Sequence, residues 1–122
     1  MSTELKNDLS SKVVDANLYS QVAELPTMTG PNPGEIINNA AQFQYHYWQI
    51  LIKDIVGTLK LRPEASLDGD GFATLTADGN DLEYTENGQH LITTTRGIRA
   101  KQVRLEFVEG DATVEVKYRG GN

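Results

Sequence analysis

The spacing of apolar residues changes character along the chain, and each change predicts a different element. Near the N-terminus Leu5, Leu9, Val13 and Ala16 recur at steps of four, four and three, which puts them on one helical face. Residues 1–25 therefore read as a polar helical arm. Ser2 is placed to cap its start, and Leu25 before Pro26 to end it. Residues 26–34 contain three prolines and two glycines and predict a stiff, irregular linker.

The strongest helix signal follows. Asn32 stands at an N-cap position, Pro33 at the first helical position and Glu35 where it can reach back to the cap. Ile37, Ala41, Trp48, Leu51 and Ile55 continue the helical period, and Gly57 is suited to a left-handed C-terminal cap. These signals predict a helix over residues 33–56, roughly 36 Å long. A competing alternation with period two runs through Ala41, Phe43, Tyr45 and Tyr47, and aromatic residues favour strands. The helix is preferred because caps stand at both ends. It would be apolar on two sides, with Ile36, Phe43, Tyr47 and Ile50 on the second. One small sheet covers only one side of a helix, so the other side predicts a contact with further protein.

Residues 57–118 predict an antiparallel β-meander. Asp78-Gly79 and Asn87-Gly88 are favoured in two-residue hairpin turns. Those turns would set Leu75 opposite Leu82 and Tyr84 opposite Leu91. A third hairpin at Glu109-Gly110 would set Phe107 opposite Ala112 and Leu105 opposite Val114. Every pairing keeps the apolar residues on one face, which a slip of one residue would reverse. The expected fold is α+β: an N-terminal helical arm and a central apolar helix, followed by the C-terminal antiparallel β-meander. The expected divisions are residues 1–25 (arm), 26–34 (linker) and 35–122 (one α+β domain).

Composition narrows the function classes. A chain of 122 residues with 39% apolar and 23% charged residues holds one modest core. The formal net charge of -6 argues against a nucleic-acid backbone as partner. Arg96, Arg99, Lys101 and Arg104 cluster, but Glu106 and Glu109 follow closely. The absence of cysteine removes disulfides and thiolate chemistry. Residues 1–8 lack the apolar core of a signal peptide, and the apolar run near residues 45–56 is broken by Gln49, Lys53 and Asp54. A membrane is thus not expected as a partner, and the expected location is the cytoplasm or a virion assembled there.

No linear motif for catalysis or for a cofactor stands out. Asp68-Gly69-Asp70-Gly71 resembles the start of a calcium loop, but Phe72, Ala73 and Thr74 follow where further ligands belong. Turn chemistry explains these Asp-Gly pairs, and also Asp78, Asn80 and Asp81 near the next turn. His46 and His90 lack neighbours at ligand spacing. No catalytic, cofactor-binding or metal residues are therefore assigned, and no enzymatic activity is expected.

The leading expectation is a structural, self-assembling protein, a homo-oligomer (a trimer by preference) contacting larger assembly neighbours through Leu5, Leu9, Val13, Ile37, Tyr45, Trp48 and Leu51. In its parts this architecture resembles virion proteins of bacterial viruses: decoration, head-fibre, neck or tail components. The alternative is a monomeric β-sheet module binding carbohydrate or peptide, which requires an exposed aromatic on the sheet. A third expectation, a small enzyme, requires Glu83, Glu106 and Glu115 to converge.

Overall fold

The computed structural model describes residues 12–16, 20–94 and 97–122. Residues 45–52, Tyr-His-Tyr-Trp-Gln-Ile-Leu-Ile, are dense in aromatic and β-branched side chains, which pack better on a pleated sheet than on a helix. They open a strand of 22 residues. The chain order is β1 (Lys12–Ala16), β2 (Ser20–Met28), a 3-10 turn (Ala40–Gln42), β3 (Tyr45–Ser66), β4 (Ala73–Thr74), β5 (Leu82–Tyr84), β6 (Gly88–Thr93) and β7 (Gln102–Gly121).

The expected α+β fold is thereby corrected to an antiparallel β fold. Among the described residues neither the helical arm nor the central helix forms. Residues 12–16 and 20–28 are paired strands, and residues 45–56 lie in β3. The local signals behind the helix are present without it. Gly34 N–H donates to Asn32 Oδ1 at 2.7 Å, as at an N-cap, and Gly57 has φ 73°. Yet the backbone after Asn32 runs along β7, bridging Asn32 to Phe107 and Ile37 to Val103. The likeness to virion proteins rested on arm and stalk, and the described residues form neither.

The three expected hairpins are corrected as well. β4, β5 and β6 do not pair with each other. Each pairs with the same edge of β3, so residues 73–93 form one interrupted strand beside it. Glu109-Gly110 is no turn either, because β7 continues through it and pairs with the opposite edge of β3 from Ser66 to Tyr45. The sheet order is β1-β2-β7-β3-β4, with β5 and β6 also on β3.

A flat strand of 20 residues would span about 66 Å, whereas a domain of this length has a radius of gyration near 14 Å (about 2.2·N^0.38). β3 and β7 must therefore bend. β3 does so between Asp54 (φ 54°) and Gly57, and β7 at Gly110 (φ 130°). Both strands also exchange the face they bury there. Trp48, Ile50 and Ile52 point inward before the β3 corner, and Leu59, Leu61 and Ala65 after it. On β7 Val103, Leu105 and Phe107 give way to Ala112, Val114, Val116 and Tyr118. A bulge of one residue reverses side-chain parity in this way. All these residues belong to one core cluster, so the sheet folds over on itself.

The result is two layers. The first contains β1, β2, the second half of β7, the first half of β3, and β6. The second contains the first half of β7, the second half of β3, β5 and β4. The segment after β6 crosses between them: Thr94 N–H donates to His46 O (3.1 Å), and Ile98 N–H to Gln44 O (2.7 Å). Phe43 plugs this end, its ring standing where a Cβ on Gly120 would be, at 2.3 Å. Among the described residues no helix is long and apolar enough to cross a membrane.

Candidate functional site

With the core on one side of the first layer, the other side of its strands forms an ordered outward face. The register lays it out in three rows. Val22, Arg119, Tyr47 and Thr93 are successive neighbours across β2, β7, β3 and β6. Glu24, Lys117, Gln49 and Leu91 form the next row, and Glu115, Leu51 and Gln89 a third. Strands about 4.8 Å apart make this patch about 14 Å wide.

Two adjoining grooves run over the face and share Gln49 and Lys117. One, of about 350 Å³, includes Glu24, Leu25, Thr27, Leu51, Gln89 and Glu115. The other, of about 330 Å³, includes Val22, Tyr47, Leu91 and Arg119. Tyr47 is half-buried, so part of its ring reaches solvent. Acidic and basic groups alternate, and Lys53 pairs with Glu115, a contact that raises the Lys53 pKa chiefly through their hydrogen bond. Carboxylates, amides and cationic nitrogens thus offer both acceptors and donors beside one aromatic ring.

A third cavity, about 470 Å³, opens between the layers and is lined by Pro63, Leu75, Leu82, Tyr84 and Ile92, with Thr76, Asp78 and Thr93. It lies where β5 and β6 leave the folded sheet open, and the Tyr84 and His90 rings meet beside it at 4.6 Å. Its apolar lining continues the core.

The outward face of the second layer carries a charge network. Arg104 Nε donates to Glu64 Oε1 at 2.8 Å, and Arg62 Nε to Asp81 Oδ1 at 2.6 Å. Arg62 also lies 3.8 Å from both Glu64 and Glu106, and the Arg104 guanidinium stacks 3.9 Å over the Phe72 ring. Glu64 is 4% exposed. Burial, then repulsion from Glu64 and a hydrogen bond with it, hold the Glu106 carboxyl above its ordinary pKa. Both arginines oppose that shift. Paired carboxylates answered by two guanidiniums form a closed structural network.

His46 is fully buried between β3 and the crossing segment. Its Nε2 lies 3.0 Å from Ile98 O, and its Nδ1 2.6 Å from the Tyr118 hydroxyl. A carbonyl only accepts, so Nε2–H donates to Ile98 and Nδ1 accepts from Tyr118. Burial lowers the His46 pKa and raises that of Tyr118. Trp48 packs on Tyr118, with centroids 5.6 Å apart, and its buried Nε1–H meets no acceptor among the described residues.

The residues expected at an interface are dispersed. Leu5 and Leu9 lie outside the described residues, as does the side chain of Val13 on β1. Ile37 and Trp48 are 0% exposed in this chain's own core, while Tyr45 and Leu51 are half-buried. The second apolar side of the supposed helix is thus accounted for by strand alternation. Among the expected carboxylates, Glu106 belongs to the second-layer network and Glu115 pairs with Lys53 on the first layer. The Asp68 carboxylate accepts from Asp70 N–H at 2.8 Å and Ser66 Oγ–H at 3.3 Å, which is turn chemistry. Among the described residues no three acidic or histidine side chains gather as a metal site. Sequence reasoning missed the face built from Tyr47, Gln49, Gln89, Lys117 and Arg119. The alternation through Tyr45 and Tyr47 was its signal.

No family model and no curated protein matches the chain. Among solved structures it is similar to the cupin domain of Schizosaccharomyces pombe Cnp3, with TM-score 0.45 and 8% identity over 99% of this chain and 70% of that one. It is also similar to the capsular polysaccharide assembling protein CapF from Staphylococcus aureus, with TM-score 0.28 and 14% identity. That match covers 98% of this chain and 31% of CapF, so the chain spans about a third of that protein's length. Neither likeness is close enough to argue from, and the functional reading rests on the chain's own β-sheet surface.

Proposed function

We propose that this β-sheet module binds carbohydrate, without catalysis, on the outward face of its first layer. The observation that supports the reading is the partly exposed Tyr47, which lines a groove in register beside Arg119 and one row from Gln49 and Lys117. An aromatic ring offers an apolar platform to the C–H face of a sugar. Hydroxyl groups both donate and accept, and the surrounding Glu24, Gln49, Gln89, Glu115 and Lys117 supply both kinds of partner. The mixed charges suit a neutral ligand better than a phosphate or a polyanion. A patch about 14 Å wide accommodates two or three sugar rings.

Amide NMR with a panel of neutral oligosaccharides tests the reading. A ligand should perturb residues 22, 24, 47, 49, 51, 89, 117 and 119 together, and Tyr47→Ala should weaken binding at least tenfold while the spectrum remains that of the folded protein. A panel that perturbs nothing, or perturbs only the cavity around Leu75 and Leu82, would refute it.

A further inference from the structure

We infer that β6 pairs edge to edge with β6 of a second copy, about a two-fold axis centred on Leu91, so that the first layers of two copies become one continuous sheet. This inference stands apart from the carbohydrate reading and rests on the edge of β6 itself.

Among the described residues β6 pairs only with β3, in unbroken register from Gly88 to Thr93, and its other edge is unpaired. Exposed edges are ordinarily protected by lysine, proline, a bulge or a covering segment. The sequence Gly-Gln-His-Leu-Ile-Thr contains no proline and no Asp, Glu, Lys or Arg. Leu91 stands in mid-strand and is 64% exposed.

The hydrogen-bond phase fixes which residues are available. Thr94 N–H donates to His46 O at 3.1 Å, so position 94 bonds inward to β3. Antiparallel pairs alternate, which makes Ile92 and His90 bond inward too. The N–H and C=O of Gln89, Leu91 and Thr93 therefore point away from β3 along the open edge. A two-fold axis normal to the sheet keeps the outward face outward and sets residues of the same face opposite each other. Centred on Leu91, it places Gln89 opposite the partner's Thr93, and Leu91 opposite the partner's Leu91. All the free backbone groups of these three residues are then satisfied, in about six hydrogen bonds. On the inner face His90 meets the partner's Ile92.

Electrostatic repulsion between two copies is weakest at this edge. Each chain carries a net charge of -6, so two copies repel over most of their surface. Between Gly88 and Thr93 no formally charged side chain faces its like across the axis. Leu91, exposed in one chain, is covered by its own image.

The chain has no cysteine, which makes the register directly testable. Opposed residues at a hydrogen-bonded antiparallel site lie about 5.5 Å apart at Cα, within disulfide range. Leu91→Cys should cross-link into a covalent dimer under mild oxidation. Gln89→Cys should not, because its two copies would stand about 14–15 Å apart. Native mass spectrometry at micromolar concentration should show a dimer for the unmodified chain and a folded monomer for Leu91→Lys. A monomeric unmodified chain would overturn the inference, as would a dimer in which Gln89→Cys cross-links and Leu91→Cys does not.

Discussion

Gly110 of β7 lies directly against Leu59 of β3: a Cβ added at Gly110 would stand 2.9 Å from the Leu59 Cα and 2.9 Å from the Thr58 carbonyl oxygen. The two long strands turn their corners in contact, and the contact leaves no room for a side chain. Gly110 also has φ 130°, where an L-residue is strained. Gly57 shares the strain, with φ 73°, but no atom lies within 4 Å of its would-be Cβ. The expected order of destabilisation is thus Gly110→Ala (about 3 kcal/mol or more), Gly57→Ala (about 1 kcal/mol) and Gly30→Ala (within about 0.5 kcal/mol). Urea unfolding of the three variants checks the order.

The His46–Tyr118 pair makes stability depend on pH. Burial lowers the His46 pKa in the folded state below its ordinary 6.5, so below that value the unfolded chain takes up the proton first. Stability is full above about pH 6.5 and falls as pH drops from there through the folded-state pKa. His46→Leu should flatten this dependence between pH 7 and about pH 5, as measured by urea unfolding against pH. Tyr118→Phe leaves Nδ1 without its donor and should destabilise by about 1–3 kcal/mol at pH 7.

In the second-layer network, Glu64 and Glu106 respond in opposite directions. Glu64→Leu removes the hydrogen-bonded carboxylate of Arg104, leaving it Glu106 and the Phe72 ring, and should destabilise by about 1–3 kcal/mol. Glu106 has a raised folded-state pKa, so its ionised form is disfavoured by folding at neutral pH. Its contribution is favourable below the unfolded pKa and is lost as pH rises through the folded one. Glu106→Gln should therefore gain stability relative to the unmodified chain at pH 7, and that gain should shrink towards pH 4. Thermal unfolding at both values shows whether it does.

Neighbours along β3 should behave as a partly exposed and a fully buried residue in turn. Trp48 is 0% exposed against Tyr118, so Trp48→Ala should lose about 3–5 kcal/mol and Trp48→Glu should not fold. Tyr47→Ala should lose about 1 kcal/mol or less. Circular dichroism with urea titration separates these outcomes, and a folded Tyr47→Ala makes that variant a fair test of ligand binding.

Much of the β half was legible from residue spacing. Leu75, Leu82, Tyr84, Val103, Leu105, Phe107, Val114 and Val116 were placed on one apolar face, and each is buried or packed against the core, whereas Leu91, placed with them opposite Tyr84, is 64% exposed on the outward face. Their partners were not legible. Asp78-Gly79 and Asn87-Gly88 suggested hairpins, yet Asp78 Oδ1 accepts from Asn80 N–H (3.0 Å) and Asn87 Oδ1 from Ile55 N–H (3.0 Å), with no hairpin at either. The same turn residues serve a bend within one interrupted strand as well as a reversal between two. Nor was the outward face legible, because its rows join residues as distant as Val22, Tyr47, Leu91 and Arg119.

The sequence by itself determined the side-chain alternation of residues 103–107 and 112–116, the left-handed backbone at Gly57, and that no linear catalytic motif is present. These properties are local, set by alternation and by the sterics of a few neighbouring residues. Only the tertiary structure decided that residues 45–56 are strand and that β3 lies between β7 and the β4–β6 edge. Caps at Asn32 and Gly57 stabilise a helix by about 1 kcal/mol each. A strand at the centre of the sheet buries Trp48, Ile50 and Ile52 and finds hydrogen-bond partners on both edges. Those partners lie up to 76 residues away along the chain (Tyr45 to Gly121), beyond the reach of any local pattern.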